Sequence, residues 1–168
     1  ADDEAKNHLK RSKPLQKKII NAFGNRVTSE FGQLDFGRLA AAAFKSKENQ
    51  QILNGLIWPE VRRLAENALA DAIGKYELFI VDAPLIIEAN MTSVYDSVLL
   101  ITAPEDLRFM RAMERRTLSL EQIEARANLQ FPDEKKRKAA NITIDNSGSL
   151  KVLYISLDQF IRSLKTKI

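Results

Sequence analysis

The apolar residues of this chain follow two patterns, one helical and one continuous. In "PLQKKIINAFG" (14–24) Leu15, Ile19, Ile20 and Phe23 recur at helical spacing on one face, and Gly24 supplies the stop. "DFGRLAAAAF" (35–44) predicts an alanine-rich helix whose apolar side ends at Phe44. "EVRRLAENALADAIG" (60–74) repeats the pattern through Val61, Leu64, Ala65, Ala68, Leu69 and Ile73, beginning after Pro59 and ending at Gly74. "ELFIVDAP" (77–84) and "YDSVLLITAP" (95–104) are instead continuous apolar runs, the form of parallel strands buried on both faces.

After the second run, "PEDLRFMRAMERR" (104–116) predicts a helix with Pro104 and two acids in its first turn, which suits the positive end of the helix dipole. "SLEQIEARANLQ" (119–130) opens with a Ser119-x-x-Gln122 capping box. "ITIDNSGS" (142–149) reads as a short strand and turn, and Leu150, Leu153, Leu157, Ile161 and Leu164 share one face of a closing helix. Helices alternating with short strands predict an α/β domain built on a parallel sheet. The expected organisation is a single domain over 1–168, with a helical insertion at 14–75 and a mobile basic flap at 116–138.

Composition narrows the class. At 168 residues and 45% hydrophobic the chain can bury one good core with a smaller appended lobe. No run approaches the roughly 18 apolar residues of a membrane span, and no charged-then-apolar leader opens the chain, so no membrane partner is expected. The absence of cysteine excludes disulfides, thiolate catalysis and cysteine-ligated metal, and a cytoplasmic enzyme fits. The lone His8 has no metal-ligand partner at sensible spacing.

The net charge of +4 is modest, so clustering matters more than the total. Arg108, Arg111, Arg115 and Arg116 form one cluster, and Lys135, Lys136, Arg137 and Lys138 another. Such residues are either solvated helix faces or contacts for phosphate oxygens. The second cluster has no interleaved aromatic to stack on a base, and nucleic acid is not an expected partner. The pattern carries no information on oligomeric state.

Several residues are candidates for chemistry. Asp82 stands at the carboxyl end of an expected strand, where open α/β sheets place ligand groups. Pro84 fixes the turn so that Leu85 and Ile86 can wall a pocket, and Glu88 is either a polar anchor or a helix-starting acid. Arg111 and Arg115 lie four apart on one expected helix, so both can face the same anion. Their alternative is a pair of surface arginines. Asn146, before Ser-Gly, reads equally as turn chemistry.

Taken in order, "VDAPLIIE" (81–88), "R…ER" (111–115), "SLEQIEARANLQ" and "KAANITIDNSGSL" (138–150) resemble the dephospho-coenzyme A kinase family over nearly the whole chain. The resemblance covers Asp82, Pro84, Leu85, Ile86 and Glu88; then Arg111, Arg115 and Gln130; then Ala140, Asn141, Ile144 and Asn146. It implies a three-layer P-loop kinase-like sheet, an acceptor-binding helical lobe at 14–75 and a lid at 116–138. It also implies transfer of the γ-phosphoryl of ATP, with Mg2+, to the ribose 3′-hydroxyl of dephospho-coenzyme A. Asp2 matches the family's proposed general base; without the resemblance it is a solvated or helix-capping acid. Arg111 and Arg115 become lid residues on phosphate, and Asn146 lies near adenine. Asp82, Pro84, Leu85, Glu88 and Trp58 fall to the acceptor side, with Asp82 also suited to orienting magnesium or its waters.

The sequence also departs from the family. Trp58-Pro59 replaces a common His-Pro pair, and Phe36 stands where an arginine is expected, with Arg38 two residues on. Trp58 is suited to stacking on an adenine or lining a pantetheine channel. The family's first strand, phosphate-binding loop and helix, roughly thirty residues together, have no counterpart, and no Gly-Lys-Ser or Gly-Lys-Thr occurs. The expectation is that the sequence starts after that segment, and that these 168 residues alone do not bind ATP productively. Two alternatives stay open: a non-catalytic coenzyme A or nucleotide-binding relative, and a nucleoside or nucleotide kinase of the same architecture.

Overall fold

A computed structural model describes the backbone of residues 2–165 and the side chains of residues 3–164. The chain divides into two compact units, Ala1–Pro84 and Leu85–Ile168.

The first unit is helical. Helix α1 spans Asp2–Arg11 and α2 spans Lys13–Phe23. Ser12 starts α2 by accepting from the Leu15 amide, and Gly24 ends it at φ 71°, a left-handed conformation open to glycine without a Cβ penalty. Asp35 caps α3 (Phe36–Ala43) by accepting from the Arg38 amide. The expected face of α2 is the buried one: Leu15, Ile19 and Phe23 join Leu9, Val27, Leu34 and Leu39 in one core. Gln16, also buried, donates through Nε2 to the carbonyls of Leu9 and Lys10, satisfying acceptors that the end of α1 leaves open.

Two expectations for this unit are corrected. Helix α4 runs from Lys47 to Ala72 and does not begin after Pro59, which lies inside it. Ser46 supplies the start by accepting from the Asn49 amide. The proline removes one donor and crowds the carbonyl four residues back, and that residue is Gly55, which has no neighbour within 4 Å of where a Cβ would be. The second correction concerns the apolar run 77–84, which is irregular rather than a buried strand. Ile80 is 70% exposed, and no ladder among the described residues includes this segment. A strand is held by partners for its N–H and C=O groups, and apolar composition does not provide them.

The second unit holds the sheet. Strand β1 (Leu99–Thr102) pairs in parallel with β2 (Ile142–Asp145), in a register running from Leu99 opposite Ile142 to Thr102 opposite Asp145. The 95–104 run is a strand only in its middle. Asn141 closes the near end of the ladder: its Oδ1 accepts from the Val98 amide while its own N–H donates to the Val98 carbonyl. Helix α5 (Glu105–Glu114) leaves β1 through Pro104, with Glu105 and Asp106 in its first turn. Helix α6 (Leu120–Leu129) has the Ser119–Gln122 capping box complete in both directions. Helices α7 (Asp133–Ala139) and α8 (Leu150–Lys165) follow. Along α8, Leu153, Leu157, Ile161 and Leu164 are half-buried as the pattern requires, whereas Leu150 is exposed.

Candidate active site

At the carboxyl end of β1 the chain turns into α5, and this junction frames a cavity of about 200 Å³. Its floor is Ile101, Thr102 and Ala103, one wall is Arg108, Arg111, Ala112 and Arg115, and Asn146 closes it from the end of β2. Ligand pockets for whole small molecules start at about 300 Å³, so the space suits a phosphate-sized part of a larger ligand.

Three guanidinium groups meet here because 108, 111 and 115 repeat at three and four residues, which returns side chains to one helical face. Each is committed differently. Arg108 pairs with Asp133 (Nη2 to Oδ2, 3.3 Å), and the same oxygen accepts from Thr102 Oγ1 at 3.2 Å. Arg111 donates through Nη1 to the Asn146 carbonyl at 2.7 Å, while the Asn146 amide donates to the Thr102 carbonyl at 2.7 Å. Arg115 caps the carboxyl end of α5 with its backbone N–H donating to the Met113 carbonyl, and its guanidinium has no hydrogen-bond or ion-pair partner among the described residues. With one carboxylate against three guanidiniums, the cavity is electropositive and keeps Arg115 and most of the Arg111 fork for an incoming anion. The next residue, Arg116, takes φ 53°, so helix α5 ends in a left-handed turn.

The turn that carries Asn146 is self-supporting. Asp145 Oδ1 accepts from the Ser147 amide at 2.6 Å, and hydrogen bonds from Ser147 hold the Asp145 carboxyl below its usual range. Both readings of "DNSG" therefore apply: its backbone is turn chemistry, and Asn146 still lines the cavity.

The same unit holds a buried ion pair. Glu88 Oε1 stands 3.1 Å from Lys136 Nζ and accepts from the Phe131 amide at 3.0 Å, while Lys136 donates to Gln130 Oε1 at 2.7 Å. Glu88 Oε2 is buried without a partner. The basic run 135–138 thus divides: Lys136 is spent inside, Lys138 pairs with Glu134 on the surface, and Lys135 lies over the Phe131 ring.

Of the sequence candidates, Arg111, Arg115 and Asn146 come together around the cavity. Leu85 and Glu88 are in the same unit, Leu85 in the turn that follows Pro84 and Glu88 buried under Phe131 and Lys136. Trp58 (half-buried, on α4), Asp82 (exposed) and Pro84 (exposed) belong to the first unit. Asp2 begins α1, and its side chain lies outside the described residues. His8 Nε2 sits 3.2 Å from Glu60, and the described residues hold no group of three His, Cys, Asp or Glu able to bind a metal. The sequence placed Arg108 in the arginine cluster without singling it out as a site residue, although the 108/111/115 spacing signals it, and gave no sign of Thr102 as a cavity residue.

Comparison with known proteins gives a consistent result. A family profile described as dephospho-CoA kinase matches residues 1–152. A dephospho-CoA kinase of Carboxydothermus hydrogenoformans is 33% identical over 152 residues, covering 90% of this chain and 74% of that protein. One of Bacillus licheniformis is 33% identical over 162 residues, covering 96% and 81%. Among solved structures, TT1252 from Thermus thermophilus matches with a TM-score of 0.76 at 31% identity, covering 97% of this chain and 82% of that one. The dephospho-CoA kinase from Campylobacter jejuni matches with a TM-score of 0.63 at 26% identity, covering 99% and 84%.

Proposed function

This chain belongs to the dephospho-CoA kinase family, with its P-loop kinase-like fold, and we propose that the arginine-lined cavity of its second unit is where the phosphates of the donor are gripped. The activity is that of a dephospho-CoA kinase: the γ-phosphoryl of ATP passes to the ribose 3′-hydroxyl of dephospho-coenzyme A, completing coenzyme A. The observation that carries the placement is the convergence of Arg108, Arg111 and Arg115 on one space at the carboxyl end of a parallel strand.

Phosphoryl transfer asks mainly for positioning and for neutralisation of charge on the moving oxygens. Arg115, with its fork uncommitted, is assigned the transferred phosphoryl group. Arg111, braced on the Asn146 carbonyl, is assigned a phosphate oxygen, and the Asn146 side chain the neighbouring nucleotide. On the acceptor side the resemblance supports Asp82, Pro84, Leu85 and Trp58, with Asp2 as the carboxylate that orients the 3′-hydroxyl and takes its proton. The lobe at 14–75 would hold the acceptor, and 116–138 would close over the phosphates.

Magnesium arrives with ATP. Such an ion is bound through the substrate's phosphates and one or two carboxylates rather than by a dedicated protein cage. No helix among the described residues is long and apolar enough to cross a membrane.

The test is transfer from ATP to dephospho-coenzyme A, AMP and adenosine in parallel, using protein expressed from the full reading frame. Dephospho-coenzyme A should be the preferred acceptor by a wide margin in kcat/KM. Preference for AMP or adenosine would move the chain to a different kinase activity, and binding of dephospho-coenzyme A without turnover would support the non-catalytic alternative.

A further inference from the structure

We infer that Glu88 and Lys136 form a buried clamp that fixes residues 130–136, so that Asp133 can hold Arg108 at the cavity. Glu88 is thus a positioning residue for the phosphate site. The inference rests on the proposed function for its catalytic consequence, but the clamp itself is a structural claim that can be read without activity.

Glu88 and Lys136 have side chains only 7% and 9% exposed, the most enclosed of the ion pairs among the described residues. Burying two charges is costly unless further hydrogen bonds satisfy them, and a stability role alone is served as well by apolar residues of similar size. Here the further bonds all go to one short segment. Glu88 Oε1 takes the Phe131 amide, and Lys136 Nζ reaches back to Gln130 Oε1. Segment 130–136 is therefore tied at both ends to one carboxylate that is 43 positions away from Phe131 in sequence.

What lies between the ties is Asp133. Its Oδ2 meets Thr102 Oγ1 from the end of β1 and Arg108 Nη2 from α5, so a segment held by Glu88 aims a carboxylate at the cavity wall. Asp133 keeps Arg108 beside Arg111 and Arg115 in the absence of anion, where three like charges would otherwise drive the guanidiniums apart. This also divides the basic flap. Residues 130–136 form its fixed post.

The experiment compares parent, Glu88→Gln, Lys136→Met, Lys136→Arg and the double variant Glu88→Gln/Lys136→Met, all from the full reading frame. The double variant leaves no buried charge stranded and keeps the test readable if a single variant fails to fold. Two quantities are read: kcat and KM for both substrates, and the rate of tryptic cleavage at Lys135, Arg137 and Lys138. The clamp predicts faster cleavage in Glu88→Gln, Lys136→Met and the double variant, and a kcat lower by at least about tenfold with acceptor KM kept within about twofold. Lys136→Arg should recover most of both. Parent-like cleavage and kcat in the double variant would overturn the proposal, as would an acceptor KM that rises while kcat is kept, the mark of a direct acceptor contact. A parent without transfer activity would defeat the functional reading instead, and the tryptic comparison would still decide the clamp.

Discussion

The two units spend their buried groups differently. In Ala1–Pro84 the interior is apolar: Ile19 and Val27 are fully enclosed, and the buried Gln16 serves to close a helix end. Among the described residues of Leu85–Ile168 no apolar side chain is sealed to that degree, and the enclosed charges are Glu88 and Lys136. An apolar core gives stability without directing any group at a ligand. A buried polar network costs desolvation but fixes directions, which a phosphate site needs.

The comparison breaks most visibly if its two kinds of interior are disturbed separately. Ile19→Ala removes the centre of the first core and should lower unfolding free energy by about 2–5 kcal/mol in urea titration. Its kcat at a temperature well below melting should stay near the parent value. Arg115→Ala should do the reverse, with melting temperature nearly unchanged and kcat/KM lower by roughly a hundredfold, as for loss of one charge-stabilising donor. A core variant that lost activity while folded, or an arginine variant that lost only stability, would erase the distinction.

Smaller effects sharpen it. Ser119→Ala opens the capping box of α6 and should cost about 1 kcal/mol, seen as a lower thermal midpoint, because the Gln122 amide loses its acceptor. The acid limb of stability provides the smallest test. Glu60 in the first unit is held below its usual range chiefly by the Arg63 hydrogen bond, with His8 adding to it, and Asp145 in the second chiefly by hydrogen bonds from Ser147. Both folded-state values are depressed, so the folded state binds fewer protons than the unfolded one as pH falls. Their contributions are present above the ordinary carboxylate values of about 4 and lost as pH drops through the lowered ones. Glu60→Gln and Asp145→Asn should each flatten the acid limb of a stability–pH curve slightly. Curves that superimpose on the parent below pH 5 would remove that assignment.

The sequence made the first unit legible where periodicity decides: the α2 face, the Gly24 stop and the alanine-rich helix after Asp35 follow from spacing and composition. It misled at Pro59, because a proline usually reads as a boundary while Ser46 and the contacts of a long helix allowed α4 to continue through it. It misled again at 77–84, because an apolar run specifies a strand only when ladder partners are present. In the second unit the Ser119–Gln122 box, the 142–145 strand and the Arg111–Arg115–Asn146 grouping were all legible, the last through resemblance. The Glu88–Lys136 pair was not, since nothing local in "LIIE" or "EKKRK" announces a contact across 48 positions. Lys136 looked like any other member of a basic run.

The most direct measurement is the fate of γ-labelled phosphate from ATP, with dephospho-coenzyme A and magnesium, in the full-reading-frame protein and its Arg115→Ala variant. Label should appear on the 3′-position of coenzyme A in the parent, and the variant should transfer it roughly a hundredfold more slowly with its fold intact. Equal rates in the two would contradict the placement of the phosphate site, and a parent that binds dephospho-coenzyme A but transfers no label would contradict the kinase reading itself.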